Sequence, residues 1–338
     1  MRNKALKHFF SIILPVYNVQ DYLYECLNSI LKSELKNMEI IAINDGSTDD
    51  SWNILQSYTD TRLKIFSKKN EGLYRTWRYG VSLATGDYII FVDSDDFIDA
   101  KMFARANEIL DIYSYDLIQF GWKELRPNGK ITLMNNCAFK YGEYMNSSLD
   151  DIKKSLQTIE GIRNFAGYRW AKVYRTELLK ETLQYTIDDI VMFEDNAIVY
   201  PYIWRSKSIY LDAGSYYYYR IQRKGSICSS KNREIQYLND CKKINDFFCN
   251  NQRSLGFTNR FLDAYYFISY KTVIIYLIKA KLYNYVKQML QDKRFKSLLK
   301  AAKKSTKNIK EHIYLVLLNF RFLKLIRILL QINSKLHT

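Results

Sequence analysis

DYIIFVDSDD, residues 87–96, is an apolar run that ends on three aspartates, Asp93, Asp95 and Asp96. A short apolar stretch bounded by polar residues predicts a strand buried on both faces, as in a parallel sheet. Carboxylates two residues apart in extended chain point the same way, so Asp93 and Asp95 can converge on one ligand. Crowding acids at a strand end is electrostatically costly without a cation. A hard divalent metal that also grips phosphate oxygens would offset that cost. A solvated, helix-capping acidic turn is the plainer alternative for the same residues.

Upstream, strand and helix signals alternate. SIILPV (11–16) has the length of a buried strand, and residues 20–32 follow as a helix with Leu23, Leu27, Ile30 and Leu31 at three- and four-residue steps. MEIIAIN (38–44) predicts a second strand, and Thr48 or Asp49 can cap the helix after it. LKIF (63–66) predicts a short third strand and Leu73 to Ala84 a helix, which leads into the acidic strand. Apolar strands separated by helices make a mostly parallel sheet covered on both faces. Ligands of such sheets bind beyond the carboxyl ends of the strands, where Asp45 also falls.

Downstream, a helix over 99–112, a strand over YDLIQFGW (115–122) and a turn at Pro127-Asn128-Gly129 are expected. Helices follow near 150–160, at 176–182 and after Glu194, and SIYLDAGSYYYYRI (208–221) reads as extended chain. From about residue 231 the pattern is helical to the end. The basic start, MRNKALKHFFSIILPVYN, imitates a signal peptide, but its apolar run is short, lacks a small-residue cleavage site and reaches Pro15 at once, so a first strand is expected.

The 338 residues carry 51 Lys+Arg against 35 Asp+Glu, and 48% are hydrophobic, which excludes a wholly disordered chain. The charge of +16 is uneven. From Lys279 onward there are 15 basic residues and two acids, Asp292 and Glu311, leaving about +3 for everything before. Such a tail suits a polyanion, either phospholipid headgroups or nucleic acid. Five cysteines, an odd number with no CxxC pair, fit a reducing cytosol. His8, His312 and His337 form no ligand-like cluster, so carboxylates are the expected metal ligands.

Five segments, SIILPVYN (11–18), EIIAINDGSTDDS (39–51), NEGL (70–73), ATGDYIIFVDSDD (84–96) and FEDNAIVY (193–200), together resemble the family 2 glycosyltransferases of bacterial, non-processive type, in order and approximate spacing. The resemblance implies an α/β GT-A nucleotide-diphosphate-sugar-binding fold over residues 1–225, with a basic, mainly helical region over 226–338. It also implies an inverting transferase that moves one sugar from a nucleotide-sugar, a UDP-sugar above all, to a glycan or lipid-linked acceptor, with Mn²⁺ or Mg²⁺ as cofactor. Surface polysaccharide assembly is the expected setting.

Residue by residue, Pro15, Val16 and Tyr17 match the first loop lining the nucleotide pocket, and Asp45 matches the contact to the base. Asp93 corresponds to the first acid of the DxD motif, near the ribose, and Asp95 to the metal ligand. Asp195, preceded by Glu194, corresponds to the general base. Trp170 and Lys172 in RWAKVYRTELL resemble a segment bordering the acceptor, and Arg220 or Arg223 falls in a loop that could meet a phosphate or the acceptor. A sugar hydroxyl is a poor nucleophile, so a positioned carboxylate must take its proton. An acidic first helical turn is the plainer reading of Glu194-Asp195.

Two features depart from the family pattern. Where Arg-Asn-x-Gly is common, the chain has Trp77-Arg78-Tyr79-Gly80, which turns the basic side chain by about 100° on a helix and puts a diphosphate contact by Arg78 in question. Arg169-Trp170 precedes Asp195, and Ala166 stands where the processive QxxRW motif needs Gln, so single-sugar addition is favoured.

In the tail, HIYLVLLNFRFLKLIRILLQI (312–332) is apolar but carries Arg321, Lys324 and Arg327. Its uncharged runs are too short for a membrane span. Taken as one helix, Arg321, Lys324, Arg327 and Gln331 fall within an arc of roughly 120°. That geometry suits a helix lying on an anionic membrane surface, which would place the protein peripherally on the cytoplasmic face of the cell membrane. Packing on the catalytic domain or a homodimer interface are the alternatives. A protein that only binds nucleic acid would explain the charge and the aromatics. It would not explain acids at strand ends, which repel phosphate unless metal-loaded, so nucleic acid is not an expected partner.

Overall fold

The computed structural model describes residues 8–134, 139–165, 167–187, 190–221, 233–305 and 309–336. In chain order the first elements are β1 (Phe10–Val16), α1 (Gln20–Leu31), β2 (Met38–Asp45), α2 (Ser51–Gln56), β3 (Leu63–Lys68), α3 (Leu73–Leu83) and β4 (Tyr88–Phe91). Then come β5 (Phe97–Ile98), α4 (Lys101–Ile112), β6 (Leu117–Leu125), β7 (Ile131–Met134), β8 (Gly142–Met145), α5 (Ser147–Ser155) and α6 (Ile159–Asn164). β9 (Lys172–Arg175), α7 (Thr176–Thr182), α8 (Asn196–Arg205) and β10 (Ser208–Arg220) complete the mixed part. The remainder is helical: α9 (Glu234–Asn250), α10 (Gln252–Leu255), α11 (Asn259–Lys279), α12 (Tyr283–Met289), α13 (Lys293–Ser305), α14 (Ile309–Asn319) and α15 (Leu323–Leu336). Two compact units result. One comprises Met1–Ser155, Arg163–Ser230 and Ser254–Gly256, the other Leu156–Ile162, Lys231–Arg253 and Phe257–Thr338.

The first unit is built on one sheet in the order β3-β2-β1-β4-β9-β6-β10-β5, with β7 beside β6 and β8 beside β10. β1 pairs in parallel with β2 and with β4, and β2 with β3. The parallel expectation therefore holds for all four leading strands. β9 was not expected, and it runs antiparallel between β4 and β6. β1 is buried along its whole length because helices cover both faces of the sheet. Ile12 and Leu14 pack with α1 and α4 residues in one apolar cluster. Ile13 points the other way, toward α3. A Cβ on Gly80 would lie 2.5 Å from Ile13 Cγ2, so glycine lets that helix sit close on the strand.

This arrangement positions the acids. Val16 is level with Asn44 across the β1–β2 ladder, and Val92 N donates to Ile13 O at 3.1 Å. The ends of β1, β2 and β4 therefore emerge at one edge, carrying Tyr17, Asp45 and the turn Asp93–Asp96.

In the second unit, α11 is the core helix. It is the one helix among the described residues long and apolar enough to cross a membrane, yet 72% of its apolar window is buried within the protein. Asn245 on α9 donates to Ser269 on α11 at 2.9 Å, and Lys271 on α11 pairs with Glu311 on α14 at 2.5 Å. The single helix expected over 312–332 is two: the chain breaks after Asn319, with Arg321 at φ 61°, and restarts at Leu323. Arg321 therefore does not continue the stripe of Lys324 and Arg327.

Candidate active site

The acidic turn after β4 is framed by side chains from distant segments. Asp96 is 1% exposed, and its carboxylate accepts from Tyr217 Oη at 2.8 Å and Arg220 N at 2.7 Å. The same tyrosine hydroxyl accepts from Asp93 N at 3.1 Å. Arg220 closes the turn from outside, donating Nε to Asp95 O at 3.0 Å and a terminal nitrogen to Glu25 at 2.7 Å. Tyr168, Trp170, Tyr217 and Tyr219 form a stacked aromatic wall, with Tyr168 and Trp170 ring centroids 3.7 Å apart and those of Trp170 and Tyr217 4.6 Å apart.

Arg169 joins the two halves of the site. Its guanidinium donates one nitrogen to Asp195 Oδ1 at 2.5 Å and the other to Asp93 Oδ1. The side chain is 2% exposed, against about a fifth for each acid. Burial by itself would discharge it, but Asp93 and Asp195 outweigh that effect and hold it charged. Asp195 stands at the N-cap of α8, yet its side chain makes no cap bond and turns to Arg169 instead. Its carboxylate is thus engaged across the site by Arg169 and makes no capping bond. Beside it, Glu194 is pushed up to about 8, first by desolvation and then by Asp195.

Backbone strain surrounds these groups. Phe193 (φ 71°), Ala171 (φ 54°) and Asn18 (φ 51°) are left-handed non-glycine residues next to Glu194, Trp170 and Tyr17. Such conformations persist only where the surroundings over-determine them, and they cluster at functional sites.

A sequence profile of Glycosyl transferase family 2 matches residues 11–179, half of the chain. The chain belongs to glycosyltransferase family 2. It is 29% identical over 211 residues to EpsJ of Bacillus subtilis, described as an uncharacterized glycosyltransferase, covering 62% of this chain and 60% of that protein. It is likewise 29% identical over 296 residues to the cholesterol galactosyltransferase of Borreliella burgdorferi, covering 81% and 78%. The chain thus spans less than two thirds of EpsJ. Residues 1–349 of TarS from Staphylococcus aureus, solved in complex with UDP-GlcNAc, share the fold with a TM-score of 0.58 at 20% identity, over 88% of this chain and 92% of that one. The fold is GT-A.

Within this family 2 chain, the expected site residues fall into three groups. Asp93 and Asp195 are brought together by Arg169, which was not among them. Asp95, on the same turn, and Arg220, wrapped round it, lie beside them. Tyr17 is 47% exposed at the same sheet edge.

A second group is present in a different capacity. Pro15 and Val16 are buried, so only their backbone can line a pocket. Asp45 is 3% exposed and holds a loop: it accepts from Lys68 at 2.5 Å, Glu71 N at 3.0 Å and Gly72 N at 2.9 Å. Gly46 (φ +69°) permits that approach, because a Cβ there would sit 2.9 Å from Asn70 N. Trp170 is 5% exposed inside the aromatic wall.

The third group moves away from its expected place. Lys172 is fully buried and donates to Tyr168 O at 2.7 Å, so its ammonium supports the wall and does not border an acceptor. Arg78 lies over Tyr74 at 5.4 Å and lines a hollow with Val81, Ser82, Lys180 and Leu183. Arg223 lies outside the described residues. Arg169 and Tyr217 were not expected, and Asp96, expected only as one of the acids at the strand end, proves to be the buried anchor of the turn. Tyr217 and Tyr219 carry a legible signal, since alternate tyrosines of a strand share a face.

The donor set fits a hard divalent cation only with help from a ligand. Among the described residues no group of three or more His, Cys, Asp or Glu can hold a metal alone. Burial, followed by Asp95 and Asp93, drives the Asp96 carboxyl well above its ordinary range. That is the electrostatic situation a cation at Asp95 would relieve. Its remaining ligands would be phosphate oxygens and water.

Proposed function

We propose that this protein is an inverting, metal-dependent glycosyltransferase that moves one sugar from a UDP-sugar to a hydroxyl of a glycan or lipid-linked acceptor. The observation that carries the reading is Arg169 bridging Asp93 to Asp195, which brings a carboxylate on α8 against the acids that end β4. The UDP-GlcNAc held by TarS supports the donor class, and the name of the Borreliella relative supports a lipid among the acceptors.

In this mechanism Asp195 takes the proton of the acceptor hydroxyl as it attacks the anomeric carbon, on the face opposite the leaving diphosphate. Arg169 fixes the direction of that carboxylate by holding Oδ1. Asp93 meets the ribose side of the donor, and Tyr17 flanks the base at the open sheet edge. Asp45 shapes the pocket through the 70–72 loop. Asp95 is the residue that would hold Mn²⁺ or Mg²⁺, which when bound offsets the charge growing on the diphosphate. Buried Asp96 and Tyr217, with the partly exposed Arg220, keep the turn in one conformation and need not move during reaction. The setting proposed is surface polysaccharide assembly at the cytoplasmic face of the membrane.

The test is a panel of nucleotide-sugars assayed for UDP release with a mixed pool of glycan and lipid-linked acceptors. One UDP-sugar should give acceptor-dependent release that Asp195→Asn abolishes. No turnover with any donor, together with salt-sensitive binding of nucleic acid, would overturn the assignment.

A further inference from the structure

α15 carries one broad apolar sector, of which the second unit buries only one side. Leu323 and Ile326 are buried in the second unit. Phe322 just before the helix, and Leu325, Ile328, Leu329 and Ile332 on it, are each 38% to 56% exposed. At about 100° per residue these five fall within an arc of roughly 120° centred on Leu325. Lys324 borders that arc, and Arg321, exposed at the left-handed break, stands at its start. With Leu323, Ile326 and Leu330 the apolar sector spans roughly 220°, wider than the stripe of a soluble surface helix, and a contiguous exposed patch of this kind marks an interaction surface.

Charge selects the occupant. The region from Lys279 onward carries 15 basic residues against two acids. On α13, Phe295, Leu299 and Ala302 are buried, while Lys296, Lys300 and Lys304 stand exposed in one row at four-residue steps. Among the described residues none of these three lysines is paired with an acid. Like charges at that spacing repel. A second copy of the chain would bring the same excess of positive charge against itself. An anionic lipid surface neutralises it and accepts the apolar arc into the headgroup boundary.

We infer that the exposed face of α15, from Phe322 to Ile332, docks on an anionic lipid bilayer, with Phe322, Leu325 and Ile328 inserted and the lysines at headgroup level. The inference stands apart from the transferase reading, because docking needs neither donor nor turnover.

The experiment uses the full chain and vesicles of phosphatidylcholine alone or with phosphatidylglycerol, read by co-sedimentation and paired with gel filtration. Wild-type protein should bind the anionic vesicles, lose binding as salt rises, and bind neutral vesicles weakly. The triple variant Phe322→Ser, Leu325→Ser, Ile328→Ser removes exposed side chains only. It should stay folded by circular dichroism and lose roughly tenfold or more in vesicle partition. Lys296→Gln with Lys300→Gln should weaken anionic binding while leaving neutral binding unchanged. Equal partition of wild type and triple variant overturns the inference. So does a wild-type dimer that the triple variant converts to monomer with no vesicle binding in either, which would make the face an interface between copies.

Discussion

Asp93 and Asp195 are held by the same guanidinium: Arg169 donates one terminal nitrogen to each, from a side chain only 2% exposed. A planar fork with fixed donor directions sets the separation of its two partners as well as their charge. The end of β4 and the start of α8 are thereby locked into one geometry, across a strained stretch at Phe193 and another at Ala171.

Arg169→Lys keeps the charge but cannot reach both acids with a fixed fork. It should fold, and turnover should fall about 100-fold, the scale associated with misplacing a reacting group by ~1 Å. Arg169→Met leaves two acids facing each other and should lower stability by about 3–5 kcal/mol. Thermal melts paired with UDP-release assays check both. Full turnover by the lysine variant would show that the bridge does not position the base.

Asp195→Asn preserves the hydrogen bond accepted from Arg169 but cannot take a proton. Transfer should drop by about 10²–10⁴-fold, the usual contribution of a positioned base. UDP affinity should stay within a factor of about 2 by calorimetry, because no nucleotide contact is assigned to this side chain. Near-normal turnover would move the base elsewhere, Glu194 being the next carboxylate.

Asp95→Ala tests the metal site without disturbing its frame. The turn is held through Asp95 O and through Asp96, neither of which the substitution touches. UDP affinity in the presence of Mn²⁺ should weaken by about 2 kcal/mol, roughly 30-fold. With a chelator present, wild type and variant should bind alike. Equal affinity with Mn²⁺ would remove Asp95 as a ligand.

The leading strands were legible because their burial on both faces leaves uninterrupted apolar runs, as in SIILPV and MEIIAIN. β9 was not: its four residues, KVYR, mix charge with apolar groups, and the buried Lys172 ammonium meets the carbonyl and ring of Tyr168. The acids of the site were legible by their place at strand ends, whereas Arg169 gains its role from three segments meeting in space. The one-residue shift of the basic side chain at Arg78 was legible too, because a helix turns by about 100° per residue. The break at Arg321 is unmarked, for apolar spacing runs through it with neither Gly nor Pro.

Glu39 gives a stability test remote from the acids. Its side chain is 2% exposed and accepts from Ser11 Oγ at 2.6 Å, Thr85 N and Oγ1 at 2.8 Å each, and Lys64 at 2.6 Å. Burial alone would raise its pKa, but Lys64, Ser11 and Thr85 overcome that and hold the carboxyl at about 2, against an ordinary 4.5. A depressed folded-state pKa means that this stabilisation is complete above about pH 4.5 and is lost as pH falls toward 2. At about 1.4 kcal/mol per unit the ceiling is ~3.5 kcal/mol. Lys64 is half exposed, so about 2 kcal/mol is expected. Glu39→Gln should therefore melt below wild type at pH 7, and the gap should close as pH is lowered from about 4.5 toward 2. A gap of constant size across that range would mean that the carboxylate's charge contributes nothing and that Glu39 serves only by its shape and hydrogen bonds.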